Sequence, residues 1–117
     1  MTTKTPVLPS ELPPAVRDYL AAREARDAER ALRVFTPTAV VVDDGTTYRG
    51  TDEVRRFLDR AGAEFRYTTE LLGARRVDGA RWLVTQRLEG DFPGGVVELG
   101  LRFVLDGDLV AELVIAP

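Results

Sequence analysis

Val96-Val97-Glu98-Leu99-Gly100-Leu101-Arg102-Phe103-Val104-Leu105, then Asp106-Gly107-Asp108, then Leu109-Val110-Ala111-Glu112-Leu113-Val114-Ile115, is the stretch on which the fold turns. Its two apolar runs alternate with a period of two around a turn triplet, the pattern of paired antiparallel strands. Val97, Leu99, Leu101, Phe103 and Leu105 share one face of the first run, and Leu109, Ala111, Leu113 and Ile115 share one face of the second. The opposite faces mix Glu98, Arg102 and Glu112 with Val96, Val104, Val110 and Val114. One face is wholly apolar and the other half-polar, so helices are expected to cover one side of the sheet only.

Upstream, Phe92-Pro93-Gly94-Gly95 reads as a turn or bulged corner behind a strand over Trp82 to Glu89. Asp78-Gly79 turns that strand back on another from about Phe65 to Val77. The first half of the chain has helical spacing instead. Pro13 and Pro14 can open a helix, in which Val16, Tyr19 and Leu20 form the apolar stripe and Arg17, Asp18, Arg23 and Glu24 lie off it. Asp27 suits the N-cap of a second short helix with Ala28, Ala31, Leu32 and Phe35 inward, stopped by Pro37. Ala39 to Asp43 is a β-branched strand, and Asp44-Gly45 a turn. Thr51 can cap a third helix with Val54, Phe57, Leu58 and Ala61 inward and Gly62 as its stop. Arg55, Arg56 and Arg60 fall on its outer side, where Asp52, Glu53 and Asp59 are their expected partners. The order is helix, helix, strand, helix and four hairpin strands: an α+β fold, its curved, mostly antiparallel sheet wrapped around three helices from the N-terminal half. Residues 1–12, polar and proline-rich, are expected to form a flexible arm, and residues 13–117 a single domain.

Composition removes several kinds of chemistry. The 117 residues contain no cysteine and no histidine, so thiolate catalysis, disulfides and the usual zinc or iron ligands are out. No metal or cofactor is expected. Acid–base work falls to Asp, Glu, Tyr, Lys or Arg. The net charge is −3, and the arginines are interleaved with acids and not gathered into a basic face, so nucleic acid is not an expected partner. No stretch has the length of a membrane span or the core of a signal peptide, which makes the cytoplasm the expected location.

Tyr19-Leu20-Ala21-Ala22 followed by Asp27, Leu32 to Phe35 leading through Pro37 to Asp43, and Tyr48-Arg49-Gly50-Thr51 running into Val54, Phe57 and Leu58 occur here in order. In that order and spacing the chain, from about Ala15 to Ile115, resembles the nuclear transport factor 2-like superfamily, which includes ketosteroid isomerases and SnoaL-like polyketide cyclases. Phe92-Pro93-Gly94-Gly95 and the ending from Asp106 to Ile115 look like small SnoaL-like proteins. The resemblance implies a cone-shaped domain with a pocket for a small apolar molecule and a homodimer. Because one fold hosts many functions, it does not name a reaction.

It also implies site residues. Asp43 stands where ketosteroid isomerases carry a base, and desolvation at the mouth of an apolar cone could raise its pKa for proton transfer. Otherwise Asp43 is a turn acid bound to nearby backbone. Tyr19 matches the family's oxyanion-hole tyrosine, or else is a core residue with its hydroxyl on a carbonyl or in water. The family's second oxyanion donor, an acid on a later strand, is matched by Leu99, and Glu98 beside it points the other way. Gln86 is the polar misfit on the face with Trp82, Val84 and Leu88: turned inward, Gln86 finds partners or, with Trp82, meets a ligand on the cavity wall; turned outward, it is solvated and Trp82 belongs to a dimer contact. Tyr67 and Thr69 on the next strand are cross-strand filler or else line the same cavity, with Leu99, Leu101 and Phe103 as its apolar wall. Two functions stay open: cofactor-free proton transfer of isomerase, cyclase or lyase type by Asp43 and Tyr19, or a non-catalytic module for a ligand or a protein partner.

Overall fold

Residues 5–63 and 66–117 are described by the computed structural model. In chain order they form β1 (Thr5–Pro6), a 3-10 turn (Pro9–Glu11), α1 (Pro14–Glu24), α2 (Ala28–Leu32), β2 (Phe35–Asp43), β3 (Thr46–Arg49), α3 (Gly50–Ala63), β4 (Tyr67–Arg76), β5 (Arg81–Gly90), β6 (Val96–Asp106) and β7 (Leu109–Ala116). The strands make one sheet in the order β1-β4-β5-β6-β7-β2-β3. Every pairing is antiparallel except β2 with β7, which the intervening helix and hairpins bring side by side in parallel. The three helices pack on one face of this curved, mostly antiparallel sheet, so the fold is the expected α+β cone.

Each helix ends for a local reason. In α1, Ala15, Val16, Tyr19 and Ala22 are buried on one stripe. The helix closes with Arg26 in the left-handed region at φ 57° while the Asp27 N–H returns to the Ala22 carbonyl at 2.8 Å. Asp27 then caps α2, its Oδ1 accepting the Arg30 N–H at 3.1 Å. The start of α3 differs from expectation: the helix runs from Gly50, and the Glu53 carboxylate accepts the Arg49 N–H at 2.8 Å, so Thr51 is not the cap. Gly62 lies inside α3 instead of ending it. Val54, Phe57 and Leu58 are buried as the stripe requires. Arg55 pairs across to Glu29 on α2 at 3.2 Å and not with the acids of its own helix.

Two strands went unread in the sequence. Asp44 and Gly45 both have positive φ, 50° and 79°, the geometry of a two-residue hairpin turn, and they fold β3 back on β2 with Asp43 opposite Thr46. Four residues without alternation gave no strand signal. At the other edge, Thr5 and Pro6 pair with Arg76 and Arg75, and Leu12 is 2% exposed. Within the segment expected to be a flexible arm, Thr5 to Val7 thus run along β4; residues 1–4, like Phe65, lie outside the described residues.

The sheet faces follow alternation on β5 and β6 but not throughout β7. Val84, Leu101 and Phe103 are buried on the concave side. On β7 the pairing jumps from Val104↔Glu112 to Leu105↔Val110, leaving Ala111 as an extra residue. That bulge reverses the faces before it. Val110, expected outward, is fully buried; Leu109, expected inward, is 36% exposed; Leu113 and Ile115 keep their expected side. A second bulge at Leu72, between Leu71↔Gln86 and Gly73↔Thr85, does the same to β4. The core closes on Tyr19, whose ring meets Phe35 and Phe103 edge-on at 5.8 and 5.6 Å between centroids.

Leu113 is fully buried beside Phe103 on the concave side, whereas Glu112 next to it is exposed on the convex side. Leu113→Ala is expected to cost about 2–5 kcal/mol through the cavity it leaves. Glu112→Ala should barely move the urea midpoint. Equal losses in urea denaturation would show this assignment of faces to be wrong.

Candidate functional site

The helices do not fill the cone to its rim. A cavity of about 610 Å³ remains where the last turn of α1, the β2–β3 hairpin and the β5–β6 turn meet. Its floor is a cross-strand row set by register. Val84 pairs with Leu101, Leu101 with Ile115, and Ile115 with Asp43. The next row outward places Leu71, Gln86 and Leu99 side by side, and the one beyond it Thr69, Leu88 and Val97. Asp43 therefore ends the inward row of the sheet on the side of the hairpin, and the two-residue turn after it fixes its direction.

Asp43 and Tyr19 line this one cavity, from the end of β2 and from the buried face of α1. Asp43 is half-buried, and Tyr19 is 2% exposed. Burial pushes the Tyr19 phenol up to about 12; the Arg23 guanidinium opposes that rise, while Tyr67 and Asp43 add to it. The phenol is thus a neutral hydrogen-bond donor at any ordinary pH, held among a carboxylate, a guanidinium and a second phenol.

Gln86 faces the cavity, half-buried, which settles the side of β5 on which it lies. Tyr67, Thr69, Leu99 and Leu101 also line it. Two expected wall residues do not. Phe103 has no exposure at all and packs beneath the Tyr19 ring as core. Trp82 shares the face of Gln86 but sits four residues back, toward the closed end, where the Arg76 guanidinium lies 5.6 Å above its ring. The sheet's length separates them from the mouth: alternation tells face, not depth.

Several cavity residues escaped the sequence reading. Phe92 and Pro93 reach the rim from the β5–β6 turn. This turn stays close to β4 because Gly90 has no side chain: a Cβ there would collide with Arg66 backbone and Tyr67. Asp91 completes the clasp, its Oδ1 accepting the Arg66 N–H at 2.9 Å. Phe57 lines the cavity from α3, and Arg23 and Arg26 from the end of α1. Arg23 was read as lying off the stripe, yet it follows Tyr19 by four residues, the spacing that stacks two side chains on one side of a helix. Arg26 lies with its guanidinium 5.8 Å from the Tyr67 ring centroid.

Comparison with known proteins places this architecture. The model of the SnoaL-like domain matches residues 16–112. A Sinorhizobium meliloti protein with a provisional polyketide-cyclase description is 31% identical, with a TM-score of 0.86 over 94% of this chain and 100% of that one. A Catenulispora acidiphila protein with a ketosteroid isomerase-like fold, solved with trimethylamine, is similar in fold at 17% identity and a TM-score of 0.78, covering 90% of this chain and 85% of that one. So is Rv0760c of Mycobacterium tuberculosis, solved with estradiol-17beta-hemisuccinate, at 18% identity and a TM-score of 0.73 over 88% of this chain and 90% of that one. No curated protein matches the chain significantly. With the domain model spanning most of the chain, and helices, bulged sheet and open cavity in the matching arrangement, this protein belongs to the SnoaL-like family of the nuclear transport factor 2-like superfamily.

Proposed function

We propose that the cavity binds a small apolar molecule and that Asp43 and Tyr19 transfer a proton on it, in a cofactor-free step of isomerase, cyclase or lyase type. The observation that carries this reading is the placement of both side chains on one void of about 610 Å³, a volume suited to a small organic ligand. In this reading Asp43 takes a proton from carbon next to a carbonyl. Tyr19 donates a hydrogen bond to the oxygen on which negative charge then develops. The phenol, which burial pushes up to about 12, stays protonated and so remains a hydrogen-bond donor to that oxyanion. Gln86 and Tyr67 orient the ligand, and Leu99 and Leu101 exclude water from it. The polyketide-cyclase description of the Sinorhizobium relative and the small-molecule complexes of the two fold neighbours are in keeping with such a pocket.

A second reading is a non-catalytic ligand carrier. It is favoured by Leu99, which occupies the wall where the resemblance calls for a second oxyanion acid. Hydrogen–deuterium exchange at the α-carbon of 2-tetralone, followed by NMR in D₂O, separates the two. Proton transfer predicts acceleration over buffer, a drop of about 10²–10⁴-fold for Asp43→Asn with the melting temperature kept, and a smaller drop for Tyr19→Phe. Binding of 2-tetralone without any accelerated exchange would leave the carrier.

The convex side of the sheet supports a homodimer, which we propose as the assembled form. Val40, Val42, Leu83, Val104 and Val114 are half-buried there, and Arg102 and Glu112 are exposed among them. An apolar patch edged by both charges is self-complementary in character. Sedimentation equilibrium at micromolar concentration should give a dimer that Val114→Asp splits; a wild-type monomer would rule the assembly out.

The buried phenol also predicts alkaline behaviour. An unfolded tyrosine loses its proton near pH 10, whereas Tyr19 keeps it to about 12. Between those values the folded chain binds more protons than the unfolded one, so stability falls as pH rises. The contribution is complete below pH 10 and declines by about 2–3 kcal/mol on approach to pH 12. Tyr19→Phe should flatten this part of the stability–pH curve measured by urea denaturation; an unchanged slope would mean that the phenol is not shielded.

A further inference from the structure

We propose that Arg23 is the anion-reading residue of the cavity and that the ligand carries a carboxylate on an apolar body. The inference rests on the cavity being a ligand site, as proposed above, and adds the chemical class of what enters it.

Arg23 lines the cavity one helical turn beyond Tyr19. Its guanidinium is held by α3. Nη1 donates to the Leu58 carbonyl at 3.2 Å, and the group lies 6.0 Å from the centroid of the Phe57 ring. Among the described residues it makes no ion pair. A guanidinium stays charged at any physiological pH and offers five N–H donors in a plane. One donor goes to Leu58, and among the described residues the guanidinium makes no other hydrogen bond. Such a fork matches the two oxygens of a carboxylate in a way that a point charge does not.

The other charged groups of the wall do not reverse this. Glu24 and Asp44 are exposed at the rim, where water and salt screen them. Arg26 is exposed as well and is placed over Tyr67. Among the half-buried groups there is one of each sign, Arg23 and Asp43. A carboxylate at Arg23 puts the ligand's charged end toward α1 and leaves its remainder across Leu99, Leu101 and Ile115. The field at the Tyr19 oxygen agrees, since Arg23 is the charge that acts on it most.

The experiment uses the intact chain and three probes. N-phenyl-1-naphthylamine, neutral and fluorescent in apolar sites, reports occupancy; 2-naphthoate and 2-naphthamide, alike in shape and different in charge, compete with it. Wild type should bind naphthoate at least about tenfold more tightly than naphthamide, the margin of a charge-assisted over a neutral hydrogen bond. Arg23→Gln should erase that preference and leave naphthamide within about twofold of wild type. Arg23→Met, which keeps the stem on Phe57, serves if Arg23→Gln does not fold. Leu99→Trp should block all three probes, locating them in the cavity and not on the convex sheet. Equal wild-type affinity for the two competitors, a preference that survives loss of the arginine, or naphthoate binding untouched by Leu99→Trp would each overturn the role of Arg23. If naphthamide and N-phenyl-1-naphthylamine still bind in those cases, the pocket reading stands without it. If no probe binds the wild type, both fall together.

Discussion

Everything in this molecule hangs on a tyrosine ring gripped edge-on by two phenylalanines. Tyr19 sits between Phe35, which opens β2, and Phe103, in the middle of β6. The contact ties α1 to both the parallel and the antiparallel part of the sheet, and it buries the phenol body almost completely. Aromatic edges packed against faces add to ordinary area burial, but the larger consequence is positional. A ring wedged at this depth stops α1 from sinking further into the cone. The space beyond it, toward the rim, stays open as the cavity. Core packing and the site are therefore one arrangement: the apolar ring holds the helix, and the polar tip of the same side chain meets the void.

The second constraint is backbone irregularity. A sheet in strict alternation would have turned Val110 outward and Leu109 inward. The extra residue at Ala111 reverses this, so that β7 can follow the curve of β6 and still bury Val110 beneath α1. The bulge at Leu72 lets β4 bend in the same way. The tight Asp44-Gly45 turn then delivers Asp43 to the end of the inward row shared with Ile115 and Leu101. The backbone aims the carboxylate.

Periodicity made the strands, the helices and most inward faces legible, because burial on one side writes itself into spacing. Asp27 as a cap and Val54, Phe57 and Leu58 as a stripe could be read directly. Bulges could not, since an added residue changes parity without changing composition, and Ala111 looks like any other strand alanine. β3 was too short and too polar to declare itself, although the Asp-Gly turn before it was plain. Depth was equally hidden. Trp82 and Gln86 share a face and a strand, yet one lies at the closed end and the other on the cavity. Arg23 was missed for a different reason. A long charged side chain is ordinarily solvated, and only its four-residue spacing from Tyr19 hinted otherwise.

The arrangement of polarity around the cavity has its own logic. The resemblance to ketosteroid isomerases calls for an acid on the sheet wall, and this chain has Leu99 there. With leucine the sheet side carries an apolar patch of Leu99, Leu101 and Ile115 beside Gln86, while Tyr19, Arg23 and Asp43 lie across from it where α1 meets the end of β2. Removing the acid also removes a like charge from the neighbourhood of Asp43. Two carboxylates near each other cannot both remain ionised at low cost. A single carboxylate sharing the cavity with a permanent cation and a neutral phenol avoids that cost.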